Sequence, residues 1–180
     1  MTAIIFTPRI LYLSQSLEAV RVQLAGVRLT RAAASPLRDD ISTDEILPQP
    51  ITVHCDEALG RYPYTGYTVA GHQPIGVGAI QQAQIEVVVG GKRYGKGSSR
   101  EDSPVAEQAA GVRLIIAESF EHSYRQNADN LGLFTSTNFA LLERITRGQA
   151  IELEELLEGR DAVAAARVSW CHLQNSKRAI

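Results

Sequence analysis

Short runs of apolar residues separated by glycine-marked breaks set the pattern of this chain. Residues 85–89 (IEVVV) and 112–117 (VRLIIA) are near-continuous apolar runs, the pattern of strands buried on both faces. Residues 133–137 (LFTST) read as a third strand, and residues 4–13 as one or two short strands around Pro8. Between them the spacing changes to that of helices. Leu17, Val20, Val22 and Leu24, behind Ser14 and Ser16, predict a short helix ending near Gly26. Ser103 is expected to cap a second helix, with Pro104 at its first position, Glu107 in its first turn and a stop at Gly111. Helices are also expected over 124–131 and over 141–146, the latter ending at Gly148, with a brief strand over 151–153. In the first half, 32–36 reads as a linker, 51–53 as a brief strand, and 60–78, rich in glycine, proline and tyrosine, as an ordered loop. Strand–helix–strand steps of this length argue for an α/β layered fold of short strands and crossover helices.

Composition narrows the picture without changing it. The 180 residues suit one domain, able to bury a core without metal or disulfide staples. A hydrophobic fraction of 44% and a charged fraction of 21% are ordinary for a globular protein. The net charge of −2 offers no electrostatic footprint for nucleic acid or an anionic membrane. No apolar run approaches the roughly 20 residues that span a bilayer, so a cytoplasmic protein is expected. Cys55 and Cys171 are far apart in sequence and are read as unremarkable thiols.

Chemistry concentrates in residues 90–101, GGKRYGKGSSRE. Four glycines, four cations and two adjacent serines lie between a buried strand and a helix start. Glycine permits positive φ and close approach of a ligand, and a helix N-terminus offers N–H groups and a field that favour an anion. Arg100 adds a fork suited to a carboxylate or phosphate. A phosphate-binding P-loop fails at one position: Gly90, Gly95 and Lys96 fit, but Gly97 stands where a magnesium-binding hydroxyl is required. The competing structural reading is a tight turn whose serines only cap the next helix.

The segment GKGSSREDSP, from Gly95 to Pro104, resembles the signature of the aconitase superfamily swivel domain, found in aconitase, homoaconitase and the small subunit of isopropylmalate isomerase. The resemblance continues through AGVRLIIAESFEHSYRQNADNLGL and includes an earlier block, DDISTDEILP, similar to the family's D-x-x-[ST]-T-D loop. It covers about residues 37–147 and implies a single swivel-type β/β/α domain over 1–180. It also implies roles: Ser98 as the base that takes or returns a carbon-bound proton, Ser99 and Arg100 as substrate-binding groups, and Asp44 reaching the same site. Arg61 lies roughly where members read the distal end of the substrate, with a solvated surface arginine as the competing reading. Departures occur beside the chemistry. Lys96 stands where isopropylmalate isomerases often have Cys, Asp102 where many members have His, and Glu45 where aconitases place the His after the loop aspartate.

The reaction implied is dehydration of a 2-hydroxy di- or tricarboxylic acid followed by rehydration at the neighbouring carbon. In the superfamily a [4Fe–4S] cluster held by three cysteines assists the leaving hydroxyl. Two distant cysteines cannot hold it, so no cofactor is expected on this chain and the cluster is expected on a large subunit or domain as partner. Either a free small subunit or a domain of a longer protein fits. A stand-alone anion-binding or regulatory module and a nucleotide-binding protein are the alternatives. Asn127 and Asn130 are read as structural support, His54, His72, His122 and His172 as scattered, and Tyr62, Tyr64 and Tyr67 as pins of the glycine–proline loop.

Overall fold

The computed structural model describes residues 3–51, 56–98, 100–160, 164–169 and 171. In chain order its elements are β1 (Ala3–Ile4), β2 (Ile10–Tyr12), α1 (Leu17–Leu24), α2 (Arg31–Ala34), α3 (Thr43–Ile46), α4 (Asp56–Leu59), α5 (Ala79–Gln82) and β3 (Val87–Val89). There follow α6 (Asp102–Ala109), β4 (Leu114–Ile116), α7 (His122–Leu131), β5 (Phe134–Ser136), α8 (Leu141–Thr146), β6 (Ile151–Glu152) and α9 (Leu153–Leu156).

Four parallel strands form the central sheet in the order β2-β3-β4-β5, with Leu11 opposite Val88 and Val88 opposite Ile115. β1 and β6 pair antiparallel as a separate ribbon. Because side chains alternate across a strand, the sheet feeds two cores. Leu11, Val88 and Ile115 pack with Tyr64, Tyr67, Tyr94 and Tyr124 on one side. Tyr12, Val87, Val89, Leu114, Ile116 and Phe134 pack with Phe6, Leu141 and Ile145 on the other. Burial on both faces is why the β3 and β4 sequences are apolar without alternation. The α/β architecture is therefore the expected one, and among the described residues no helix is long and apolar enough to cross a membrane.

Local chemistry explains where elements start and where expectations shift. Ser16 caps α1 through Ala19 N–H, and Gly111, at φ +100°, follows the end of α6. Residues 32–36 are not a plain linker: Thr30 accepts from Ala33 N–H and starts α2, after which the Ser35–Pro36 bond is cis. α6 starts earlier than expected, with Glu101 at its N-cap. Ser103 is inside the helix and fully buried, its hydroxyl donating to Thr43 O at 3.3 Å. Pro104 is tolerated there because first-turn N–H groups have no partner within the helix. Ile51 closes a 3-10 turn over Gln49–Ile51, while positions 52 and 53 of the expected strand lie outside the described residues. α9 follows β6 directly, where only a strand was expected.

Candidate active site

Two segments far apart in sequence are laced together at the C-terminal end of β3. Gly91 N–H donates to Arg38 O (2.8 Å), and Lys92 N–H to Asp39 Oδ1 (2.7 Å). Asp40 N–H returns to Lys92 O (2.8 Å), and Gly95 and Lys96 N–H both donate to Ile41 O (2.8 and 3.0 Å). Thr43 N–H closes the seam on Lys96 O at 2.9 Å. Glycine is required at two points of this contact. A Cβ on Gly91 would lie 2.2 Å from Asp39 Oδ1, and one on Gly95, at φ +81°, would lie 2.2 Å from Tyr124 Cγ.

This lacing decides which backbone groups remain for a ligand. Arg93 N–H donates to Ser119 Oγ and Tyr94 N–H to Ser119 O, so the N–H groups of residues 91–96 are all engaged. A phosphate cradle made by this loop, as a P-loop requires, is thereby lost. The anion-binding reading moves to the end of the loop. Among the described residues no acceptor faces the N–H groups of Gly97, Ser98 or Arg100.

α3 delivers the acidic partner. Ser42 and Glu45 form a capping box, which fixes the turn that carries Asp44. Arg100 Nη1 donates to Asp44 Oδ1 at 2.6 Å and more weakly to Leu47 O at 3.4 Å. The Arg100 side chain is 14% exposed and that of Asp44 64%, so the pair sits at a rim open to solvent. Among the described residues the Nε–Nη2 edge of Arg100 has no partner. That edge is the one that takes a carboxylate through two parallel hydrogen bonds. Ser98 is exposed, and its carbonyl accepts from Thr43 Oγ1 at 3.3 Å.

Neighbouring charges do other work. Glu45 also accepts from Arg38 Nη2 at 2.9 Å, and Arg38 Nη1 reaches Thr68 O. Arg93 forks onto Asp40 through Nε and Nη2, both at 2.6 Å, and Lys96 Nζ is 3.4 Å from the same carboxylate. The Arg93 hydrogen bonds hold the Asp40 carboxyl below its ordinary value. Lys96 is 54% exposed, a surface charge.

The structure thus brings together Ser98, Arg100 and Asp44, while Ser99 lies outside the described residues. Arg61 is not part of this cluster. It is exposed and follows Gly60, whose missing Cβ would meet the Ala109 backbone at 2.6 Å, at the far end of α6. With a rise of about 1.5 Å per residue, that is roughly 10 Å from the end where Arg100 sits. Tyr64 and Tyr67 are core pins, Tyr67 O–H donating to Ser14 O at 2.8 Å. Asn127 is buried, while Asn130 faces the C-terminal helical residues through Arg167 and Cys171 Sγ. His72 and His122 are apart and exposed, and His54, His172 and Cys55 lie outside the described residues. Glu107 is the residue that sequence reasoning misplaced. It was expected in the first turn of the helix, yet it lies in the second and is fully buried among three tyrosines. Its place on the same helical face as Ser103 and Ala106 was the available signal.

Comparison with known proteins shows which family the chain resembles. A family model for the aconitase C-terminal domain matches residues 74–138. The 3-isopropylmalate dehydratase small subunit of Syntrophus aciditrophicus is 32% identical over 136 residues, 67% of this chain and 73% of that protein. Small subunit 1 of the Methanopyrus kandleri enzyme is 34% identical over 130 residues, 72% of each chain. Aconitase AMT8 of Alternaria alternata is 32% identical over 158 residues, 81% of this chain, which spans only 17% of that longer protein. At 32–34% identity over 72–73% of the small subunits, this chain belongs to the family of 3-isopropylmalate dehydratase small subunits and aconitase C-terminal domains.

Proposed function

We propose that the chain is the swivel-type small subunit, or the equivalent domain, of a cytoplasmic aconitase-like hydro-lyase. All 180 residues are taken as one unit, and the substrate as a 2-hydroxy di- or tricarboxylic acid. The observation that carries this reading is the meeting of Asp44 and Arg100 at 2.6 Å beside Ser98, from two segments that each resemble a family motif.

In this reading Arg100 grips a substrate carboxylate through its Nε–Nη2 edge while Asp44 orients the guanidinium from Nη1. Ser98 Oγ receives the proton of the breaking C–H bond, and that electron pair becomes the new C=C bond. A serine is a weak base, so its alkoxide needs the nearby N–H groups and the Arg100 charge. Rehydration reverses the proton transfer at the neighbouring carbon. Arg61 is retained as a candidate for a further carboxylate on a long substrate, reached by its exposed side chain. Departure of the hydroxyl needs a Lewis acid. The described residues do not fit a [4Fe–4S] cluster. They contain no cluster of three or more His, Cys, Asp or Glu side chains able to hold a metal, and Cys171 is the one cysteine among them. The cluster is accordingly assigned to a large subunit.

The test is reconstitution. The purified chain is mixed with a cluster-bearing large subunit and assayed on 3-isopropylmalate, citramalate and citrate. Turnover is expected only in the mixture. Turnover and a stable iron–sulfur spectrum from this chain alone would overturn the two-part reading.

A further inference from the structure

Beneath the candidate site lies a buried polar cluster that the proposed chemistry does not use. Glu107, on α6, is 0% exposed. Its Oε1 lies 2.5 Å from the Tyr64 hydroxyl and 2.5 Å from the Tyr94 hydroxyl, and these two hydroxyls are 2.7 Å apart. Tyr124 O–H donates to Oε2. Leu47, just after α3, and Leu59, on α4, pack against Ala106, the residue before Glu107. Among the described residues no cation pairs with Glu107.

A count of hydrogens reads the protonation state from this geometry. There are four short oxygen–oxygen contacts, and an ionised carboxylate leaves only the three tyrosine hydrogens to fill them. A neutral acid supplies the fourth. Its O–H donates to one of the two tyrosines on Oε1, that hydroxyl donates to the other, and the last donates back to Oε1. The ring closes, and Tyr124 satisfies Oε2. Buried polar groups are costly when unmatched, so the arrangement that fills every contact is favoured.

The ring ties the site's parts to one point. Tyr94 belongs to the same loop as Ser98. Tyr124 packs under Gly95 and makes an edge contact with Tyr94 at 5.2 Å. Tyr64 N–H donates to Ile46 O at 2.6 Å, at the end of α3, and Gly66 lies against Asp44 O, where a Cβ would come within 2.3 Å. α6, which carries Glu107, begins just after Arg100. We infer that Glu107 is held as a neutral acid and is a positioning residue for the loop of Ser98 and the turn of Asp44. The value of that positioning rests on the function proposed above, but the ring itself does not.

Burial agrees with the hydrogen count. It pushes the Glu107 carboxyl up to about 7, against the opposing hydrogen bonds from Tyr124, Tyr64 and Tyr94. The folded value is raised above the ordinary 4.5, so the folded state binds the proton more tightly. The stabilisation is complete below about 4.5 and is lost as pH rises through about 7. Alkaline conditions should therefore loosen the loop.

Hydrogen exchange on the full chain tests this without partner or substrate, so a failed Ser98 assignment leaves it intact. The amides to follow are Gly95, Lys96 and Thr43, with α8, in the other core, as control. After correction for intrinsic rates, wild-type protection at these amides should fall about tenfold between pH 6 and pH 8. Glu107→Gln, whose amide NH2 can donate to both Tyr64 and Tyr94 and carries no titrating proton, should keep its protection across that range. An unchanged pH response in Glu107→Gln would overturn the inference, as would failure of that variant to fold. An equal loss at α8 would mean general stability alone, and would overturn the positioning role.

Discussion

Arg100 and Lys96 are both cations of the signature loop, and replacing each separates a grip from a field. Arg100→Lys keeps the charge and removes the fork. Arg100 is 14% exposed, one nitrogen is held by Asp44 at 2.6 Å, and the opposite edge is open for a carboxylate. Lysine can satisfy Asp44 or the substrate as a point charge but cannot present two parallel donors. Loss of a charge-assisted hydrogen bond to substrate is worth about 1.5–3 kcal/mol, or roughly ten- to a hundredfold in kcat/KM. Stability should change little, because the Asp44 side of the pair is 64% exposed and such pairs contribute about 0.2–1 kcal/mol.

Lys96→Ala removes a charge that is 54% exposed and stands 3.4 Å from Asp40, a carboxylate already forked by Arg93. Its effect on the site is a weak, screened field, so kcat/KM should fall no more than a few-fold and less at high salt. Steady-state kinetics of both variants in the reconstituted enzyme, at low and high ionic strength, decide the matter. If Lys96→Ala is the more damaging change, the substrate grip belongs to the lysine and the role given to Arg100 is wrong.

Ser98→Ala in the reconstituted enzyme should lower kcat by about 10²–10⁴ with KM nearly unchanged; a tenfold rise in KM at constant kcat would make Ser98 a binding group instead. Gly95→Ala places a Cβ on the Tyr124 ring at φ +81°, and strain plus overpacking should cost about 2–5 kcal/mol, seen as a melting temperature about 10 °C lower. A shift under about 3 °C would show that Tyr124 gives way easily. Asp129→Ala should destabilise by about 3–5 kcal/mol in urea unfolding, because it strips the 2.9 Å partner from Arg160, a guanidinium only 2% exposed. A loss below about 1 kcal/mol would mean that Thr135 and Leu156 suffice to hold Arg160.

Much of the fold was legible because its strands carry their own signal. A run such as VVV at 87–89 has no amphipathic reading, and burial on both faces is what it forms. Helices marked by one strong local event were also legible, as with Ser16 before α1 and the glycines after α6 and α8. The misses share a cause: local signals that tertiary contacts reassign. Ser103 has the chemistry of a cap, but Thr43 O takes its hydroxyl, and the helix starts before it. Thr30 and Ser42 cap helices in stretches read as a linker and as the early loop of the resemblance, and the Ser42–Glu45 capping box was present in the sequence as S-x-x-E.

The candidate site was legible as two motifs but not as a geometry. Nothing in either segment alone states that Asp44 meets Arg100, or that the amides of 91–96 are spent on the facing loop and on Ser119 instead of a ligand. Glu45 shows how the structure changes the weight of a sequence departure. It stands where the resemblance would place histidine, a departure beside the chemistry. Its carboxylate is instead occupied by Ser42 and by Arg38, whose guanidinium lies 5.8 Å from the Tyr67 ring and bonds Thr68 O. Glu45 therefore serves the turn that carries Asp44, and its difference from histidine bears on how that turn is held. Specificity must then be sought in groups still free to face a ligand, foremost the open edge of Arg100.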